Sequence, residues 1–152
     1  LKPIHRVFFS AGIFILAFQT LSWSKEDPAL YEKIQENFLK EDYQNTLRLS
    51  DTFLKSQASK APLSNEVLYL KALSLLKLGR GEEARQIWRD LETKRSTAQE
   101  RVFARSAAIS IADSFYFEGQ KNKARQSYQA ALSKFPDSEE TGYVRHRIRE
   151  LE

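Results

Sequence analysis

Arg105 to Ser138 reads RSAAISIADSFYFEGQKNKARQSYQAALSKFPDS. Ala108, Ile111, Ala112 and Phe115 recur at steps of three and four, which puts them on one face of a helix. Gly119 then ends that helix, and Ala124, Tyr128, Ala131 and Leu132 recur in a second one that stops before Pro136. The stretch predicts one αα-hairpin. Each residue type has a physical reason. Small residues such as Ala112 and Ala124 let two helix backbones approach, and Phe115 and Tyr128, about a turn further along, fill the space beside them. Glycine supplies the left-handed backbone that reverses the chain.

Moved back forty residues, from Ala112 to Ala72, the same frame falls on Leu68, Ala72, Leu75, Gly79, Ala84, Trp88 and Leu91. Lys71 stands there at a position that is apolar in the hairpin downstream. Moved back from Ala72 to Ile34, the frame falls on Leu30, Ile34, Thr46, Ser50 and Phe53, with Thr46 and Ser50 in place of the small and the aromatic residue. Glu41-Asp42-Tyr43 still reads as the turn into a second helix. From Asp27 onward no stretch alternates with period two, so the expected class is all-α. Self-similarity at a fixed period is the mark of a solenoid whose units cannot bury their apolar faces alone. Local punctuation agrees: Asp27-Pro28 opens the first helix, Thr97-Ala98-Gln99-Glu100 is a capping box for the fifth, and Asp137-Ser138-Glu139-Glu140 starts a seventh that runs through Leu151. In that last helix Val144, Ile148 and Leu151 form a narrow apolar stripe beside Arg145, His146, Arg147 and Arg149, the pattern of a solvated end cap. A two-residue step turns a helix by roughly 200°, so Arg147 is expected to point away from Arg145 and Arg149.

Ahead of the repeats, Lys2, His5 and Arg6 precede an apolar run from Val7 to Phe18, and Ser22-Trp23-Ser24 presents small residues where a signal peptidase cuts. Residues 1–24 are read as a signal peptide, with a domain of residues 25–152 holding repeats at about 27–59, 64–96 and 105–138 and a cap helix at 139–151. The apolar core is shorter than the roughly twenty residues that span a bilayer. An uncleaved membrane tether is the alternative. Of 24 basic residues only Lys2 and Arg6 lie in that segment, while all 20 acidic residues lie beyond it, so 22 face 20 in the remainder. So even a balance lacks the clustered positive field that nucleic acid requires. With no cysteine in the chain there is no disulfide, no thiolate nucleophile and no attachment point for a lipid anchor.

Ala108, Ala112, Phe115, Gly119, Ala124, Tyr128, Ala131 and Pro136 resemble the tetratricopeptide (TPR) consensus at its signature positions. The resemblance implies a right-handed superhelix of about three TPR-like αα-hairpins plus a C-terminal capping helix. The segment Ala131 to Ser138, with its Phe135-Pro136-Asp137-Ser138, looks like the repeat ends of exported bacterial TPR proteins, among them the Tol-Pal accessory protein and the outer-membrane assembly lipoprotein. The chain lacks the lipid-attachment cysteine of the second and the coiled-coil heptads of the first. In TPR proteins the first helix of each hairpin lines a concave groove. Carried across, the groove positions are Tyr31, Gln35 and Phe38, then Tyr69, Leu73, Leu76 and Lys77, then Ile109, Asp113, Tyr116 and Phe117. Aromatic side chains of this kind offer large contact area at low entropy cost, which suits a segment of a partner protein. The competing reading packs them against neighbouring helices, with Asp113 and Tyr116 the two expected to stay exposed.

Chemistry of other kinds has little to stand on. His146 is the sole histidine beyond the first 24 residues, so neither a His pair for zinc nor a triad partner is visible. Glu82-Glu83 and Glu139-Glu140 lie at helix starts, where the macrodipole stabilises negative charge. Lys121, Lys123 and Arg125 read as a solvated face. The expectation is a non-enzymatic adaptor of the bacterial cell envelope, periplasmic or secreted, with no cofactor, metal or small-molecule substrate. Two alternatives stay open: a self-associating structural subunit, and an accessory subunit of a wall-modifying enzyme complex.

Overall fold

A computed structural model describes residues 28–56 and 63–152. The proposed signal peptide, Asp27 and the end of the first repeat's expected span lie outside them. The described residues form seven helices and no strand: α1 (Pro28–Leu39), α2 (Tyr43–Ser56), α3 (Ser64–Lys77), α4 (Gly81–Thr93), α5 (Ala98–Phe117), α6 (Lys121–Lys134) and α7 (Thr141–Glu150). Among them no helix is long and apolar enough to cross a membrane. The all-α class and the TPR-like hairpins are as the sequence predicts.

Each helix packs on the next in chain order, and in addition α1 touches α3 and α3 touches α5. The first helices of the three hairpins therefore form a continuous layer, the inner side of the stack, while α2, α4 and α6 lie outside it. The three hairpin turns share one geometry. The amides of Asp42, Arg80 and Gln120 donate to the carbonyls of Asn37, Leu75 and Phe115, at 2.9, 2.8 and 2.9 Å. This six-to-one bond closes a helix end through a left-handed residue. That residue is Gly79 (φ 78°) or Gly119 (φ 74°) in two turns, and Glu41 (φ 60°) in the first. A side chain there costs backbone energy that glycine avoids.

The core is a row of clusters. Ala72, Leu75, Ala84, Trp88, Leu91, Ala107 and Ile111 are buried together, with Leu68 packed against them. Ala108, Ala112, Ala124, Tyr128 and Ala131 form the next cluster with Phe115 against it, and Val144 of α7 joins it. At the other end Tyr31, Ile34, Phe53, Leu63 and Val67 form a third. Thr46 and Ser50 are fully buried. Lys71, at its apolar position, keeps its ammonium at the surface through Asp51 Oδ1 at 2.6 Å.

The capping box forms: Thr97 Oγ1 accepts from the Glu100 amide, and Glu100 accepts from the Thr97 amide. It starts α5 two turns before the repeat frame, making a helix of 20 residues against 14 in α3. The seventh helix begins later than Asp137 implies. Thr141 Oγ1 donates to the Pro136 carbonyl at 2.9 Å, and Glu140 turns to Arg105 Nε at 2.9 Å, so the acidic run is spent on a turn and an ion pair rather than a cap.

Candidate partner-binding face

Helix periodicity places Tyr31, Gln35 and Phe38 on one side of α1. Tyr31 is buried, its hydroxyl accepting from Gln35 Nε2 at 2.7 Å, and Gln35 also reaches Glu66 of α3 at 3.5 Å. Phe38 is half-buried and meets Tyr43 edge-on at 5.7 Å. Tyr31 and Gln35 therefore bridge to α3, the next helix of the inner layer, while Phe38 packs on the start of α2.

On α3, Tyr69 is a structural residue. Its ring lies 6.3 Å from Trp88 and 6.2 Å from Phe103, and its hydroxyl shares a 2.8 Å hydrogen bond with Ser110 Oγ on α5. Burial pushes its pKa up to about 12. Leu73, Leu76 and Lys77, further along the helix, are half-buried.

On α5 the expected set divides. Ile109 is buried in the core, while Tyr116 and Phe117 are half-buried and meet edge-on at 5.4 Å. Asp113, expected to be exposed, is 6% exposed. The hydroxyls of Tyr128 on α6 and Tyr143 on α7, the latter at 2.7 Å, both donate to its Oδ1. Burial, the largest influence, pushes its carboxyl above the usual aspartate range, against those two donors and Arg147. Arg147 departs from the solvated end cap expected of α7. It points away from the exposed Arg145 and Arg149, as the helix rotation requires, but into the protein, where it is 8% exposed. Its guanidinium lies 4.5 Å over the Tyr116 ring, donates to Tyr143 at 3.1 Å and pairs with Glu150 at 2.8 Å. The cap helix thus covers the inner face of α5 at Asp113 with a polar network whose members satisfy one another. His146 is exposed, with Nε2 3.6 Å from Glu150.

What stays accessible is a shorter face: Phe38 on α1, Leu73, Leu76 and Lys77 on α3, and Tyr116 and Phe117 on α5. Reasoning from sequence missed its most accessible apolar member. Leu39, the last residue of α1, is 63% exposed. It stands in the frame where Lys77 and Phe117 stand, so the repeat spacing alone could have found it.

The family model of the tetratricopeptide repeat matches residues 66–96 and 108–138. Two hairpins match the tetratricopeptide repeat. They are α3–α4 and α5–α6, while α1–α2 lies outside both matches. No curated protein and no solved structure gives a significant match. Tetratricopeptide repeats generally mediate binding between proteins, and their fold is typically a scaffold without catalysis.

Proposed function

We propose that the chain is a non-enzymatic adaptor that holds a segment of another protein along the inner face, between the C-terminal halves of α1, α3 and α5. The observation that carries this is the run of accessible apolar side chains on that face, from Leu39 and Phe38 through Leu73 and Leu76 to Phe117. Such residues give up water at little cost, and a partner side chain docking among them gains the burial energy.

The finer reading is that the adaptor works in the bacterial envelope, in the periplasm or outside the cell. What supports it is the pattern of residues 1–24, a basic start, an apolar run and small residues at Ser22 and Ser24, together with the likeness of Phe135-Pro136-Asp137-Ser138 to exported TPR proteins.

Photo-crosslinking from positions 39, 76 and 117, with position 89 on α4 as the outer control, tests the face. Capture of one protein from the inner positions but not from 89, with capture from 117 lost in Leu39→Ser/Leu76→Ser, is expected. Equal capture from 89, or none from the inner positions, defeats the groove reading. Export is tested separately: the envelope fraction should contain a chain that starts at Lys25, and a chain confined to the cytoplasm overturns that reading.

A further inference from the structure

Consecutive outer helices leave a crevice over the inner helix between them, and the two crevices of this chain differ. The one between α4 and α6 is filled from within. Arg85 of α4 lies in it, buried, with its guanidinium 4.4 Å over the ring of Phe115. It donates to Ser114 Oγ at 3.1 Å and to Glu118 at 2.7 Å, and the ammonium of Lys123 on α6 lies 5.5 Å from the centre of the same ring. The crevice between α2 and α4 is open, a cavity of about 340 Å³ floored by Leu47, Leu75 and Ile87. At its mouth Lys71 pairs with Asp51 at 2.6 Å and Arg80 with Glu83 at 2.7 Å.

Repeat spacing relates the two crevices position by position. Arg85 stands where Leu47 stands, thirty-eight residues on, and Phe115 where Leu75 stands, forty residues on. The open crevice therefore lacks the long side chain and the large ring that occupy the closed one. Charge follows the same logic. Asp51 and Glu83 hold the positions of Arg89 and Lys123, so carboxylates stand in the open crevice where cations stand in the closed one. Two acids and two bases (Asp51, Glu83, Lys71, Arg80) leave the open mouth neutral. Three bases and two acids (Arg85, Arg89, Lys123, Glu82, Glu118) leave the closed one with one positive charge. Adding one cation to the open crevice makes the two equal.

We propose that the α2–α3–α4 crevice is a docking pocket for an arginine side chain presented by a partner protein, on the side of the stack opposite the inner face. The stem lies against Leu47, Leu75 and Ile87, and the guanidinium reaches Asp51 and Glu83. These carboxylates are the more accessible halves of their ion pairs: Asp51 is 49% exposed against 25% for Lys71, and Glu83 58% against 48% for Arg80. An incoming cation meets them first. Each has lone pairs left after its present partner, and the chain already shows a carboxylate serving two cations: Glu82 accepts from Arg85 at 3.1 Å and from Arg89 at 3.0 Å. A planar guanidinium on an aliphatic stem suits this site better than a strongly hydrated ammonium.

The test is an NMR titration of the chain with N-acetyl-arginine methylamide, with the norleucine and glutamate analogues as uncharged and anionic controls. The arginine probe is expected to shift the methyl signals of Leu75 and Ile87 saturably. Binding should weaken roughly tenfold in Asp51→Asn/Glu83→Gln, with retained helicity of the variant checked by circular dichroism. Leu47→Arg, which supplies the guanidinium from within, should abolish it. The absence of saturable shifts, or norleucine or glutamate probes that bind as well as arginine, overturns the proposal.

Discussion

In the third hairpin the fully buried Tyr128 is followed one turn later by the small Ala131, whereas in the first the order is reversed, with Ser50 at the place of Tyr128 and the fully buried Phe53 at the place of Ala131. The second hairpin has a large residue at both places, Trp88 and Leu91. The turns differ in the same way. Gly119 and Gly79 take the left-handed conformation without penalty, and Glu41 takes it with one. The family match covers the second and third hairpins and leaves out the first, yet all three close on the same six-to-one hydrogen bond. The lesson is that the space between two helices must be filled, but not by one particular position. A large side chain displaced by a turn fills it from the neighbouring level.

The largest expected effect comes from removing the displaced residue. Phe53→Ala should destabilise the fold by about 3–5 kcal/mol, as much as Tyr128→Ala does in the recognised repeat, when both are measured by urea unfolding. A loss under about 1 kcal/mol at Phe53 alone would mean that the first hairpin is not packed on it.

Restoring the consensus order gives the sharper comparison. Ser50→Tyr alone overpacks a filled site and should cost about 1–3 kcal/mol. Combined with Phe53→Ala it should cost less than the two single losses added, by about 1 kcal/mol or more, because the new ring enters the vacated space. Strict additivity in the four-variant cycle would break the displaced-residue account.

The turns predict effects of opposite sign. Gly119→Ala forces a Cβ into the left-handed region and should cost about 1–2 kcal/mol, while Glu41→Gly should gain up to about 1 kcal/mol. Thermal midpoints of the two variants, read side by side, check this. A stabilised Gly119→Ala would contradict the turn geometry.

The smallest effect concerns Asp113, for which the first hairpin has the uncharged Gln35. Burial raises the folded pKa of Asp113 above its unfolded value. Its contribution is therefore fully present below the ordinary aspartate range and is lost as pH rises through the folded value. Asp113→Asn keeps an acceptor for both tyrosines and does not titrate. Its stability relative to the natural chain should rise, by about 1 kcal/mol or less, between about pH 3 and about pH 7. Urea midpoints at both pH values check the sign, and a fall would mean that Arg147 outweighs burial.

Much of this architecture is legible residue by residue. The three- and four-residue spacing of Ala108, Ala112 and Phe115 specifies a helix whichever neighbour it meets. Gly79 and Gly119 specify turns for the same local reason, and Thr97 with Glu100 specifies a cap that needs no partner outside its own four residues. The candidate face was legible only in part. Leu73, Leu76 and Phe117 are half-buried, whereas Tyr69 and Asp113 have the residue types of a binding surface and are instead held by Ser110, Tyr128 and Tyr143 from other helices. Nothing in the spacing around Asp113 announces a tyrosine thirty residues further on.

By itself, then, the sequence determined the helices, their turns and the period that stacks them, because these depend on interactions within a few residues. Tertiary structure decided which residues of the inner helices remain available, that α7 covers Asp113 while Leu39 stands clear, and that one outer crevice is filled by Arg85 while its twin is open. Accessibility is a property of what packs alongside, and side chains from distant helices set it.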